Sequence, residues 1–407
     1  MPYALVDIDL ERPLPPLQLA PDETGIGVLA RKGMRPAGFF LAPLPAGAEI
    51  EPAALGDLIA AHLGPELLRR HIEDELLRGE ATPSPIDLTV AICTRDRPEL
   101  LRTCLTSLLR LRVQGPRRFE VLVIDNASST RDTFDVAASM DDVRYILEPR
   151  PGLDFARNRA LREVRTEMIA FIDDDAVLDR GWLSGLEAAW AHDPQAVAIT
   201  GQVLPLELAT DAQVIFEESG GFRRGFQTVR FAGQTRDRSP RYPILPGMFG
   251  TGCNMAFRVD GLRRLGGFDE ALDTGPALPG GGDLDIFYRV IRAGYSLVYE
   301  PGALVFHRHR RELKALRHQY WTWGTSLMAF VHKTYRQDPE MRPRVRRAAV
   351  TWLWGNLAQT ARSFSGNEVV TPELALAQLA GGLLTFPWMY PLSRWRVARI
   401  ARQHAAP

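Results

Sequence analysis

The stretch from Met168 to Leu178, Met-Ile-Ala-Phe-Ile-Asp-Asp-Asp-Ala-Val-Leu, constrains the fold of this chain more than any other. Five apolar residues suit a buried strand, and the run stops at three adjacent carboxylates, Asp173, Asp174 and Asp175. A buried strand that ends in charge delivers it to a sheet edge, where ligands of open α/β folds sit. Adjacent anions repel one another unless donor groups or a cation share them. Carboxylate oxygens suit Mg2+ or Mn2+, and such ions commonly bridge one or two carboxylates to a substrate diphosphate. A strand followed by a solvated acidic turn reads the same way, so this stretch alone leaves both open.

The surrounding sequence repeats the pattern. Apolar runs predict strands at 88–93, 120–125, 143–147, 168–172 and 196–203, with helical spacing at 98–111, 154–164 and 183–191. Near-continuous apolar strands separated by helices argue for a largely parallel sheet covered on both faces. Right-handed crossovers then gather the strand C-termini on one edge. Three polar clusters fall there: Thr94-Arg95-Asp96-Arg97, Asp125-Asn126-Ala127-Ser128 and Asp173-Asp174-Asp175. One such cluster is ordinary, whereas three on one edge favour a ligand crevice.

Outside this core the sequence divides the chain in three. Residues 1–82 predict a small N-terminal α+β unit: a proline-rich loop or extended stretch at 1–18, strands at 26–31 and 37–44, and helices at 53–63 and 65–78. Residues 81–85, rich in proline, read as a linker. Residues 83–311 are the α/β unit, and 312–407 a helical C-terminal extension. Within the α/β unit, 205–250 shows no periodicity, as functional or mobile segments often do not. A strand is predicted at 252–258. Gly280-Gly281-Gly282 precedes Asp283-Leu284-Asp285, and helical spacing at 284–293 puts both carboxylates at a helix N-terminus. The helix dipole favours them there, so capping alone would account for both. Short strands at 297–298 and 303–306 follow, the second ending in His307-Arg308-His309-Arg310-Arg311.

Basic and acidic residues balance at 49 each, so no global field points to nucleic acid. Cys93, Cys104 and Cys253 form neither a disulfide framework nor a metal spacing, as expected of a cytoplasmic protein. The N-terminus has no basic-then-apolar leader pattern, and no run reaches the ~18 apolar residues of a spanning helix. Gly-x-Ser-x-Gly, Walker and His-Glu-x-x-His motifs are missing, which argues against hydrolase, P-loop and zinc-protease chemistry. In the tail, aromatic residues at 386–390 lie beside the basic segment 394–400. Such a segment could touch the inner face of a membrane peripherally, although packing on the α/β unit competes. Trp321 and Trp323 are candidates to stack on a sugar.

Taken in order, these pieces form a recognisable series. Val90-Ala91-Ile92-Cys93-Thr94-Arg95-Asp96-Arg97-Pro98, Val123-Ile124-Asp125-Asn126-Ala127-Ser128, and Pro151-Gly152-Leu153-Asp154-Phe155-Ala156-Arg157-Asn158 come first. The Asp-x-Asp of residues 173–175, Gly252 to Arg258, and Gly266-Gly267-Phe268-Asp269 follow. Residues 87–310 thereby resemble family 2 of the inverting glycosyltransferases, whose GT-A fold is a Rossmann-like α/β sheet with helices on both faces. The resemblance implies that Thr94, Arg95 and Asp125 contact the nucleoside of a nucleotide-diphospho-sugar, with Arg157 near it or packing its helix. It implies that Asp173 and Asp174 lie at the donor, that Asp175 ligates Mn2+ or Mg2+, and that Asp283 is the general base. His307 matches a position that some relatives use as a metal ligand. Gly282 departs from the acidic residue that many relatives carry before the base.

The chemistry is coherent without the name. A departing diphosphate needs positive charge beside it, and inversion needs a carboxylate on the opposite face to deprotonate the acceptor hydroxyl. Asp283 fits that base, with Asp285 as the fallback. The expected donor is a UDP-sugar, and the acceptor is open among glycan, lipid-linked sugar and small molecule. A nucleotidyltransferase, or a catalytically silent nucleotide-sugar-binding protein, are the competing readings.

Overall fold

The computed structural model describes residues 2–76, 85–114, 119–233, 242–275, 278–366 and 368–404. The chain opens with β1 (Ala4–Asp9), β2 (Leu17–Gln18), β3 (Gly25–Lys32), β4 (Arg35–Pro43), β5 (Glu49–Ile50) and α1 (Pro52–Leu76). Residues 4–9, expected as loop or extended chain, form a strand that pairs parallel with β3, from Ala4 beside Ile26 to Asp9 beside Arg31. The prolines that suggested loop, Pro13, Pro15 and Pro16, lie beyond its end. The hairpin of β3 and β4 turns at Gly33 and Met34 as expected. The two helices predicted on either side of Pro65 are one continuous helix. Leu55, Ile59 and Leu63 fall one turn apart and pack on Ile26, Val28 and Phe40. That packing outweighs the hydrogen bond a proline removes from a helix interior. Residues 81–84 of the expected linker lie outside the described residues.

The α/β part runs β6 (Leu88–Thr94), α2 (Pro98–Gln114), β7 (Glu120–Asn126), α3 (Asp132–Ala138), β8 (Val143–Glu148), α4 (Leu153–Glu163), β9 (Met168–Asp173), β10 (Ala176–Leu178) and α5 (Trp182–His192). It continues with β11 (Ala196–Pro205), α6 (Asp211–Glu218), β12 (Val229–Phe231), β13 (Asn254–Arg258), α7 (Val259–Arg264), β14 (Asp273–Gly275), β15 (Leu278–Pro279), α8 (Gly282–Arg292) and β16 (Ser296–His307). Among the described residues, one sheet has the order β10-β16-β11-β13-β9-β6-β7-β8, with β12 added on β16. β6 pairs parallel with β7 and β9, and β7 with β8. β13 enters antiparallel between β9 and β11, making the sheet mixed.

Alternate residues of a strand face opposite sides, and the core divides accordingly. Val90, Ile92, Ala170 and Ile172 pack with Leu101 and Leu105 of α2 and Trp182 of α5. Ala91, Ile169 and Phe171 pack on the other face with Ala156 and Ala160 of α4 and Ile286 of α8. Burial on both faces is why these strands read as continuous apolar runs.

Residues 205–250, expected without elements, contain α6, β12 and a 3₁₀ turn at Pro246–Phe249. α6 is short, and its Phe216 packs against Leu316 and Tyr320, about a hundred residues away in sequence, so local periodicity was weak. The two strands predicted at 297–298 and 303–306 are the single strand β16. It crosses Glu300-Pro301-Gly302 opposite a register shift between Gly201 and Val203, the irregularity a bulge absorbs.

The tail comprises α9 (Leu313–Gln337), α10 (Arg342–Phe364), α11 (Pro372–Thr385) and α12 (Met389–Gln403). Among the described residues, no helix is long and apolar enough to cross a membrane. The N-terminal sheet docks on the α/β sheet through Leu29 and Phe39 against Leu204 and Leu304. At the same contact the buried Arg31 pairs with Asp179, Nη2 to Oδ2 at 2.6 Å.

Candidate active site

The loop ends of β6 and β7 are held in tension with each other. Asp96 and Ala127 both take left-handed backbone, φ 55° at each, a conformation uncommon outside glycine that concentrates at functional sites. Reciprocal bonds lock the pair of loops. The Asp96 amide donates to Ser128 Oγ at 3.1 Å, and Asp96 Oδ1 accepts from the Ser129 amide at 2.6 Å. Asp125, buried at the end of β7, accepts from the Ser128 amide at 3.1 Å and from the Tyr145 hydroxyl at 2.7 Å. Asn126 Oδ1 accepts from the Gly152 amide at 2.8 Å, which joins this edge to the start of α4.

The three carboxylates after β9 take three different environments. Asp174 is buried and accepts from Thr94 Oγ1 at 2.6 Å and from Arg97 at 3.2 Å. Thr94 is therefore buried and committed to Asp174 rather than open to a ligand, while Arg95 is exposed, its Nε 3.6 Å from Asp96. Burial and the neighbouring Asp175 push Asp174 up to about 6, and the same two causes raise Asp173. Burial would raise Asp175 as well, yet the charge and contact of His307, with Arg97, hold it well below the usual carboxylate range.

His307 reaches this place because β10 pairs antiparallel with the end of β16, Ala176 beside His307. Its Nε2 lies 3.2 Å from Asp175 Oδ1, a buried oxygen with no well-formed hydrogen bond. Behind it, His307 Nδ1 lies 3.1 Å from His309 Nδ1, and His309 Nε2 lies 3.0 Å from Glu217 Oε2. A carboxylate only accepts when ionised. Glu217 therefore takes the Nε2 proton of His309, His309 Nδ1 accepts, and His307 Nδ1–H donates. The remaining nitrogen of His307 faces a carboxylate oxygen, so a positive charge, proton or metal, has to lie between them. Glu217 and His309 were not legible as a pair: Glu217 sits on α6, in the stretch read without elements. The glycine at 221, with φ 52°, is what lets the chain pass the Glu217 carboxylate, because a Cβ there would strike it.

Across from these groups, Asp283 sits in the first turn of α8, half-buried, and its Oδ2 accepts from the Gly252 amide at 3.0 Å. The next residue closes the connection, since the Asp173 main-chain amide donates to Cys253 O at 3.4 Å. The dipeptide Gly252-Cys253 is thus a shared wall, with Asp173 bonded on one side and Asp283 on the other. Asp285, the fallback base, is buried and spent: Oδ1 pairs with Lys333 Nζ at 2.6 Å and Oδ2 with Arg289 Nε at 2.7 Å. Lys333 comes from α9 and also holds Asp269 at 2.6 Å.

Arg157 is buried, 3.0 Å from Asp154 Oδ1 and 3.7 Å from Asp273 Oδ2. Burial, with the charges of Asp269 and Asp283 and against the pull of Arg157, pushes Asp154 up to about 7. Its other oxygen lies where a Cβ on residue 282 would be, so the glycine before Asp283 has a steric cause. A cavity of about 660 Å³ between Gly266–Ala271 and α12 is lined by none of the residues expected to bind the donor, metal or acceptor proton.

As metal donors, Asp173, Asp175 and His307 offer oxygen and imidazole, a set that suits Mn2+ or Mg2+. The buried, unsatisfied Asp175 Oδ1 facing His307 Nε2 is the observation that fits a cation. Among the described residues, no group of three or more His, Cys, Asp or Glu side chains is placed to hold a metal ion without further ligands.

Comparison with known proteins bears on this edge of the sheet. The family described as "Glycosyl transferase family 2" matches residues 89–266. The chain is 29% identical over 238 residues to a pre-mycofactocin glycosyltransferase of Mycobacterium tuberculosis, covering 58% of this chain and 46% of that protein. It is 29% identical over 224 residues to the succinoglycan biosynthesis protein ExoM of Rhizobium meliloti, covering 54% of this chain and 66% of that one. The matches thus span about half to two thirds of those relatives. A Pyrobaculum calidifontis mannosyltransferase structure, in complex with GDP-Man and Mn2+, aligns at 20% identity and a TM-score of 0.47, covering 86% of this chain and 92% of its own. Residues 89–266, the segment that carries the strand-end loops, the three carboxylates and the Gly252-Cys253 wall, belong to glycosyl transferase family 2.

Proposed function

We propose that the protein is an inverting, metal-dependent glycosyltransferase that moves a sugar from a nucleotide-diphospho-sugar, a UDP-sugar, to an acceptor hydroxyl. The observation that carries this reading is the shared wall: the Asp173 main-chain amide bonds the Cys253 carbonyl and the Asp283 carboxylate bonds the adjacent Gly252 amide, although the two aspartates are 110 residues apart. The end of β9 and the first turn of α8 thus flank the same two residues, and the charges of Asp173 and Asp283 both act on Arg157. Asp173, Asp175 and His307 would hold Mn2+ or Mg2+, which would neutralise charge on the departing diphosphate. The diphosphate would have to supply the remaining ligands.

The chain's own groups do the rest. Asp125 and the loops locked by Asp96 and Ser128 orient the nucleoside, with the exposed Arg95 over it. Asp283 takes the proton of the acceptor hydroxyl as it attacks the anomeric carbon from the face opposite the leaving group. The Gly252 amide fixes this carboxylate at the start of α8. Arg157 and Thr94 act by packing, through Asp154 and Asp174. The same proposal gives donor binding and chemistry to 83–311, bracing to 1–82 and cover to 312–407.

Incubation with UDP-sugars and Mn2+ tests it. Release of UDP that stops on chelation and returns with Mn2+ is expected. Release of pyrophosphate would make the protein a nucleotidyltransferase, and tight UDP binding without turnover would make it a silent binding protein.

A further inference from the structure

Parts of the tail helices are built inside out, although Val345, Ala348 and Trp352 of α10 and Leu374 and Ala375 of α11 pack inward. The second half of α10 buries Asn356, Thr360 and Ser363, whose side chains bond back to carbonyls of their own helix. Its outward face carries Val350, Trp354, Leu357 and Phe364, spaced one or two turns apart, with Trp354 and Phe364 each 67% exposed. α11 repeats this: Gly381, Gly382 and Thr385 are buried while Leu376, Leu383 and Leu384 are exposed. Ser393 of α12 is fully buried while Trp388, Leu392 and Trp395 are exposed, Trp388 by 72%. A helix facing water shows the reverse arrangement.

Charge identifies what covers it. Residues 342–407 contain nine arginines, no lysine and two glutamates. Arg346 and Arg347 stand at the start of the α10 stripe, and Arg399 and Arg402 continue the α12 stripe, with Arg399 5.8 Å over the Trp395 ring. A second copy seated face to face would bring a second set of the same arginines into one interface with few carboxylates to pair them, because a two-fold interface repeats one patch on both partners. Anionic headgroups complement them, while exposed tryptophans suit the headgroup–acyl boundary and arginine stems reach from it. No described helix is both long and apolar enough to span, so the helices would lie in the plane.

We propose that the outer face of α10, α11 and α12 docks on an anionic phospholipid bilayer. The test is sedimentation of the full chain with phosphatidylcholine vesicles, with and without phosphatidylglycerol. Binding only to the anionic vesicles, weakened by salt, is expected. Arg399→Gln and Arg402→Gln should each cost roughly fivefold in vesicle affinity. Trp388→Ser with Trp395→Ser should cost about tenfold or more. All four side chains are exposed and outside the proposed site, so melting temperature and sugar-donor turnover in solution should not move. Failure to bind anionic vesicles, or equal binding to neutral ones, overturns the proposal. Self-association that the tryptophan variant abolishes, without vesicle binding, assigns the face to a second copy instead. None of these outcomes depends on the protein being a transferase.

Discussion

Asp283→Asn and Asp285→Asn, two residues apart on the same helical turn, should separate chemistry from architecture. Asp285 is buried, with Lys333 at 2.6 Å and Arg289 at 2.7 Å. Breaking a buried ion pair costs about 3–5 kcal/mol. Here the low end applies, because Lys333 keeps Asp269 at 2.6 Å and Arg289 keeps the carbonyls of Leu265 and Gly267. At about 3 kcal/mol, and about 2–4 °C per kcal/mol for a domain of this size, Asp285→Asn should melt about 6–12 °C lower. Its folded molecules should turn over donor nearly as well as the parent. Asp283 has the Gly252 amide as partner at 3.0 Å, a bond that asparagine can keep. Losing its charge at the helix start costs only about 0.3–1 kcal/mol, but removing a general base costs about 10²–10⁴-fold in rate. The assay is diphosphate release from the nucleotide-sugar per folded molecule, read beside thermal unfolding by circular dichroism. Normal turnover in Asp283→Asn, or an inactive Asp285→Asn that melts like the parent, would refute the assignment.

Three further outcomes follow from other contacts. Arg31→Met should lose about 3–5 kcal/mol in urea unfolding, because it strands the buried Asp179 carboxylate; a loss under 1 kcal/mol would show the N-terminal unit to be loosely docked. His309→Gln keeps a donor for Glu217 but removes the acceptor for His307. Calorimetric Mn2+ affinity should fall about 10–100-fold with the melting temperature held, as for other groups that orient metal ligands. Asp154 sits at about 7 in the folded chain against the usual 3.8, so the fold holds a proton that the unfolded chain releases. Its stabilising contribution is complete below about pH 4 and is lost as pH rises toward 7, by up to about 1.4 kcal/mol per pH unit. Urea midpoints measured from pH 4 to 8 should fall less steeply in Asp154→Asn than in the parent, the remaining slope coming from Asp173, Asp174 and Asp273, which are also raised.

Particular residues show how far the sequence carried. The strands β6, β7, β8, β9 and β11 were legible because both their faces are buried, which leaves nothing but apolar residues between polar ends. Their C-terminal clusters meet as expected: Asp96 bonds Ser128 and Thr94 bonds Asp174. β1, α6 and the unbroken α1 were not legible. β1 is a short edge strand beside a proline cluster, α6 takes its apolar face from the tail, and α1 is held across Pro65 by the N-terminal sheet. In each case the deciding contact comes from elsewhere in the chain.

By itself the sequence determined that apolar strands would end in charge along one sheet edge, because burial on two faces and exposure at the ends are local properties that composition records. Only the tertiary structure decided which carboxylates are free. Asp285 and Asp283 look equivalent in sequence, yet Lys333, arriving 48 residues later on α9, consumes one and leaves the other beside Gly252. The same holds for His307, whose facing nitrogen is set by Glu217 through His309. A hydrogen bond or ion pair needs a partner within about 3 Å, and sequence spacing does not encode that distance once the chain has turned back on itself.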